Sequence, residues 1–390
     1  MDKLILISIF CCFTFADLGP QNYTSSPPKT SFQHLDFNEI ATFNRNELSW
    51  KAQSDLWRKK MSMLAEKLIN NNVQSVYFVH GTFVGNDPFG TVEYLKKIYP
   101  DMSPDLEEKL RDIIKHSNDL LFEDTANFTP EYTNLFSKAL GDKIPCHRYE
   151  WSSGGYHWAR LKSAILLTKS IAQEISQRSE LENGRILLVG HSHAGQLFAL
   201  LTNFLSESKG VDRLMEIASE GGVDVSQMSK WLQQIRKVKL DIVTYGTPPL
   251  YGWGEKSTFR LLNIINHRGK SHLAGDLEDG ILFTKDGDYI QQIGITGSGV
   301  IASNPWEQRL NEKLYPILGP ENNQKVLQKN IAHKMRIPHY GKTLLVDFKD
   351  ASELFPNCIT TLFGHGANTR YEKMLFNTQI IIKHFYTNTP

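Results

Sequence analysis

The stretch Arg185-Ile186-Leu187-Leu188-Val189-Gly190-His191-Ser192-His193-Ala194-Gly195 decides the fold. Four β-favouring aliphatics run straight into Gly190, the pattern of a strand covered on both faces. A helical pattern, Leu197, Leu201, Phe204 and Leu205, begins directly after Gly195. Strand, sharp turn and helix therefore follow one another, with Ser192 at the apex. Small residues at 190, 194 and 195 let strand and helix approach, and the tight turn lifts the serine above the sheet. A serine hydroxyl is a poor nucleophile unless a base takes its proton and the attacked carbonyl is held close. The helix N-terminus lends positive potential there, and the His193 N–H can point at a developing oxyanion.

Working outward, Val73-Gln74-Ser75-Val76-Tyr77-Phe78-Val79 predicts another buried strand, ending at His80-Gly81. From Glu47 to Asn70, Trp50, Trp57, Met61, Leu64 and Leu68 recur at helical steps. Further strands are expected at His147–Trp151, Val238–Thr244, Arg260–Ile265 and Thr343–Phe348, and helices at 157–178 and Arg370–Phe385. Asp286-Gly287 suits a two-residue hairpin loop. Strands alternating with helices imply an α/β fold, a mostly parallel sheet of about six strands with helices on both faces. Residues 46–390 read as one domain with two helical insertions, at about 84–143 and 296–340, that act as caps. Residues 17–45, polar and with Pro20, Pro27 and Pro28, read as a loosely held lead-in.

The chain has 390 residues, 41% hydrophobic and 22% charged, which excludes a disordered, collagen-like or multi-span membrane protein. With 43 Lys+Arg against 42 Asp+Glu, nothing pulls it electrostatically toward nucleic acid or an anionic membrane. Leu4 to Phe15 is too short to span a membrane. It reads as a secretory signal over residues 1–16, with an uncleaved anchor as the alternative. The expected location is secreted or extracytoplasmic, with no stable membrane span after signal removal. Cys11 and Cys12 leave with the signal; Cys146 and Cys358 either pair or stay as separate thiols.

The Gly-His-Ser-x-Ala-Gly turn at 190–195 resembles the nucleophile elbow of the α/β-hydrolase superfamily, with Ala194 where glycine is usual. The resemblance spans residues 73–385 and implies the α/β-hydrolase fold. His80-Gly81-Thr82-Phe83 resembles the oxyanion loop of that family, which implies the backbone N–H of Thr82 as a donor beside that of His193. The family order of serine, acid, histidine implies His365, in Leu362-Phe363-Gly364-His365-Gly366, as the base. His333 and His339 lie upstream of the last strand and His384 inside the last helix. The acid is expected in Gly275-Asp276-Leu277-Glu278-Asp279-Gly280, as Asp276 with Asp279 as the alternative. Asp286 and Asp288 are assigned to the hairpin.

The expected activity is hydrolysis of a small-molecule or lipid ester, of the lipase-like kind, through an acyl-enzyme on Ser192. An acyltransferase with the same machinery and a non-catalytic binding protein on this fold are the alternatives. Phe83, Trp151 and Tyr251 are expected to line the substrate pocket. No cofactor and no metal are expected, since no H-E-x-x-H or paired Cys/His spacing occurs among the 13 histidines and four cysteines. Gly269-Lys270-Ser271 is no phosphate loop, because Ile264 stands where the first glycine belongs.

Overall fold

A computed structural model describes residues 33–36, 54–248, 250–254, 259–267, 284, 287–293, 302, 304–318, 341–348, 350 and 360–387. In chain order the elements are β1 (Gln33–Asp36), α1 (Asp55–Asn70), β2 (Val73–Val79), α2 (Thr91–Ile98), α3 (Pro104–Phe122), α4 (Pro130–Ala139), β3 (Cys146–Tyr149) and α5 (His157–Gln177). Then come β4 (Arg185–His191), α6 (Ala194–Leu205), α7 (Val211–Glu220), α8 (Met228–Ile235), β5 (Lys239–Tyr245) and β6 (Phe259–Asn266). The last are α9 (Tyr289–Ile293), α10 (Pro305–Leu318), β7 (Lys342–Asp347) and α11 (Met374–Phe385).

All strand pairs are parallel, in the order β1-β7-β6-β5-β4-β2-β3. Six strands, β2 to β7, form the body of the sheet. The four-residue β1 pairs at its edge with β7 and comes from inside the expected lead-in. Asp286, where a hairpin is expected, lies outside the described residues; the neighbouring Gly287 makes an antiparallel bridge with His267.

Side chains of successive strand residues point to opposite faces, so each strand feeds two cores. Tyr77, Val79, Ile186, Leu188, Leu240 and Ile242 meet the helices α5, α6, α7, α8 and α10 on one face. Val76, Phe78, Leu187, Val189, Val243 and Leu262 meet α1, α4 and α11 on the other. This two-sided burial is why the strands read as unbroken apolar runs. Local signals start the helices: Ser54 caps α1 by accepting from Trp57 N at 3.2 Å, and Ser103 and Thr129, each followed by proline, cap α3 and α4. Around Phe78, the rings of Phe128, Tyr132 and Phe136 pack at 5.2, 5.4 and 5.1 Å, which fastens α4 to the sheet.

The order of strands has a mechanical consequence. From β2 the chain moves outward to β3, then returns past β2 to β4 and continues in the opposite direction to β5. That reversal opens a crevice beyond the carboxyl ends of β2 and β4, where open α/β sheets bind their ligands. The register puts Val79 beside Gly190 and His191 beside Tyr245, so these strand ends lie level.

Candidate active site

Ser192 directly follows β4 at the crevice, with φ 54°, a left-handed value that L-residues rarely adopt outside glycine. Such a conformation costs energy and persists only where surroundings over-determine it. Here they do. Ser192 N donates to Tyr245 O at 2.8 Å, Thr247 Oγ1 donates to Ser192 O at 2.7 Å, and Gly195 N closes the turn onto Ser192 O at 3.1 Å. The end of β2 presses against the same point. A Cβ on Gly81 would stand 2.7 Å from Ser192 Cβ, so only glycine permits this approach.

His365 lies in the connection between β7 and α11, and its loop is tied to the neighbouring strand ends. His191 Nε2 donates to His365 O at 2.9 Å, and Asn266 Nδ2 donates to Gly364 O at 2.9 Å. The imidazole itself is held by Asp288, whose Oδ1 and Oδ2 stand 3.0 and 2.9 Å from His365 Nδ1. Asp288 is fully buried and also accepts from Gln291 N at 2.7 Å, so its carboxylate is fixed in place. Because the carboxylate accepts, the proton sits on Nδ1 and leaves Nε2 as the basic nitrogen. His365 Nε2 is buried and has no hydrogen-bond partner among the described residues. Gly246, at φ 56°, makes room for the pair, since a Cβ there would sit 2.5 Å from Asp288 Oδ2 and 3.2 Å from His365 Nδ1.

Three further imidazoles surround the turn, and burial pushes His80, His191 and His193 well below the usual histidine range. They are neutral framework groups. His80 Nδ1 donates to Gly81 O at 3.0 Å, and His80 O accepts from Trp151 Nε1 at 2.8 Å, which ties the end of β2 to the chain after β3. Thr82 Oγ1 and His193 Nδ1 are hydrogen-bonded, bringing the 80–83 loop against the start of α6. The backbone N–H groups of Thr82 and His193 meet no acceptor among the described residues.

The geometry brings four residues singled out in the sequence, Thr82, Ser192, His193 and His365, to one end of the sheet. Asp276 and Asp279 lie outside the described residues. The carboxylate found on His365 belongs to Asp288, which corrects its assignment to the hairpin. Phe83 is half-buried at φ 71° and stacks on exposed Phe89 at 6.0 Å. Trp151 and Tyr251 are buried in hydrogen-bonded packing: Trp151 on His80, and Tyr251 through its hydroxyl on His157 Nδ1 at 2.6 Å. Cys146 is half-buried with its thiol pushed up to about 12 by burial, while Cys358 lies outside the described residues. Among the described residues no cluster of His, Cys, Asp or Glu has the makings of a metal site, and no helix is long and apolar enough to cross a membrane.

Asp288 was missed because Asp-Gly-Asp is a strong local turn signal. One sign pointed to it: it lies between Ser192 and His365 in chain order, in the connection after β6. The chain matches no protein-family model, no curated protein and no solved structure. What stands is the coarse architecture, an α/β fold on a parallel sheet, together with the cluster at its carboxyl edge.

Proposed function

We propose that the chain is a serine hydrolase of carboxylic esters on an α/β-hydrolase fold. Ser192 Oγ attacks the acyl carbon while His365 Nε2 takes its proton. The carbonyl π electrons move onto oxygen, and the Thr82 and His193 N–H groups receive the developing charge. Collapse of the tetrahedral intermediate expels the alcohol, protonated by His365, and leaves an acyl-Ser192 ester. Water, deprotonated by His365, releases the acid. Asp288 holds the reactive tautomer and offsets the charge of the imidazolium.

One observation carries this reading: the strained Ser192 at the switch-point crevice shares the carboxyl edge of the sheet with a histidine whose Nδ1 is held by a buried carboxylate. A buried aspartate on one imidazole nitrogen, with the other nitrogen unpartnered, is costly as packing and apt as a general base. The proposed substrate is a small-molecule or lipid ester of the lipase-like kind. The proposed secreted location rests on Leu4–Phe15, outside the described residues.

The test is turnover of p-nitrophenyl esters of increasing acyl length, with fluorophosphonate labelling of Ser192. Ser192→Ala is expected to abolish both. Asp288→Asn should lower kcat about 10³- to 10⁴-fold, by the loss of the correct tautomer, while Asp276→Asn leaves it within a few-fold. Unchanged turnover in Ser192→Ala sinks the reading.

A further inference from the structure

Arg160 sits in the first turn of α5, fully buried, yet no carboxylate of the described residues is within ion-pair distance of it. Nη2 donates to Gly155 O at 2.9 Å and Nη1 to Tyr251 Oη at 2.9 Å, while Nε is buried without an acceptor. Other inward-facing cations are matched: Lys115 and Arg148 with Asp119, and Arg185 and Arg260 with Asp241. A buried charge costs several kcal/mol unless a partner offsets it, and a neutral side chain of similar volume serves packing better. The Tyr251 ring lies 5.6 Å from the guanidinium carbon, but with only neutral partners among the described residues the charge still asks for a source of negative charge.

The surroundings indicate where that charge arises. Gly155, the acceptor for Nη2, lies against the 80–83 loop, since a Cβ on it would touch Thr82 Cγ2 at 3.6 Å. Thr82 in turn is hydrogen-bonded to His193. The guanidinium is thus linked through Gly155 to the loop that carries the Thr82 amide. Its charge also reaches the ring of His193, adding to the burial that keeps that imidazole neutral. A negative charge develops at the Thr82 and His193 amides when the acyl carbonyl becomes tetrahedral.

We propose that Arg160 is a positioning residue for the oxyanion site: an unpaired buried cation that braces the Gly155 turn against Thr82 and makes the potential at the Thr82 and His193 amides positive. Its charge is uncompensated in the resting protein and meets its counter-charge in the transition state, so it acts on kcat rather than on substrate binding. This rests on the ester-hydrolase reading above.

The test compares Arg160→Met, Arg160→Gln and Arg160→Lys with the full chain on one p-nitrophenyl ester. The neutral variants should lose about 10- to 100-fold in kcat with KM changed less than about threefold. Lysine, which keeps the charge, should recover most of the loss. A trifluoromethyl ketone, which forms an oxyanion adduct on Ser192, should bind the neutral variants more weakly in proportion to kcat. Wild-type kcat in either folded neutral variant overturns the proposal. So does a lysine variant as impaired as the neutral ones, or failure of both neutral variants to fold, since either makes the residue a packing element. If Ser192→Ala keeps its activity, the hydrolase reading itself falls; if only the Arg160 variants behave like wild type, that reading stands.

Discussion

Of the three helices between β2 and β3, α3 and α4 are built on opposite plans. In α4, Tyr132, Leu135 and Phe136 point inward and pack with Phe128 against the sheet. In α3 the inward side is charged. Arg111 there meets Asp87 at 3.5 Å, Glu93 at 2.7 Å and Glu107 at 3.0 Å. Lys115 pairs with Asp119, Asp119 accepts from Arg148 at 2.6 Å, and Asn118 donates to Gly85 O at 2.8 Å. Its apolar residues Leu106, Ile113 and Leu120 face outward at 48, 62 and 67% exposure. One half of the connection is thus held by burial and the other by ion pairs. The ion-paired half is rooted on the candidate active site at both ends. It leaves the 80–83 loop on one side. On the other, Asp124 accepts from Thr369 Oγ1 at 2.7 Å and from Tyr371 N at 2.9 Å, just beyond His365.

The largest expected difference is in core deletion. Phe128→Ala, which empties the aromatic cluster on Phe78, should cost about 3–5 kcal/mol of global stability. Ile113→Ala, on the outward face of α3, should stay within about 0.5 kcal/mol. Urea midpoints at constant m-value read both. Equal losses would break the contrast, because they would mean that the outward face of α3 is buried in solution.

Next in size is Asp119→Asn. The carboxylate serves Lys115, Arg148 and Asn127 at once, and Lys115 is buried. Removing one partner of a buried pair leaves an uncompensated charge, at a cost of about 3 kcal/mol. The loss should concentrate in residues 91–127, read as faster amide exchange there with β4 and β5 still protected. Uniform loss across the molecule would show that the helical hairpin of α2 and α3 and the core unfold as one unit.

The same contrast explains what was legible in the sequence. Strands β2 and β4 could be read because burial on both faces leaves unbroken aliphatic runs. The positions of Ser192 after a strand and His365 before the last helix could be read because flanking glycines and strand runs are local properties. Asp288 was obscured because its partner lies 77 residues away while its turn signal lies next door. Likewise, the helical insertion expected at about 84–143 carries no indication of which face of α3 turns inward. What turns α3 over is the set of partners on other elements, Asp87, Glu93 and Arg148, and a helical period carries no record of them. Trp151 and Tyr251 were expected at a pocket wall because large aromatics suit one. The structure shows their hydrogen bonds to His80 and His157, which no local pattern records. β1, at four residues, is too short to leave a pattern in a polar segment.

Acid should separate the two halves most gently. Burial alone would raise the carboxyls of Glu93, Glu107 and Asp119, but their lysine and arginine partners outweigh it and hold all three below the usual range. A depressed carboxyl contributes stability that is complete above its unfolded value, about 4, and is lost as pH falls through the folded value. Asp87 opposes them: burial raises it, so its protonation relieves part of the strain as the others let go. In the core, burial raises Glu174 too, yet hydrogen bonds from His147, Tyr77 and Ser75 take it down to about 2. That link between α5 and β2 therefore keeps its charge well below the range where an ordinary carboxylate is protonated. Near pH 3, pepsin should cut first within residues 91–122, leaving the sheet intact, while at pH 6 an acid-independent protease should find that segment protected. First cuts in β4 or β5, or a hairpin equally open at both pH values, would show that the ion pairs do not hold α3 in place.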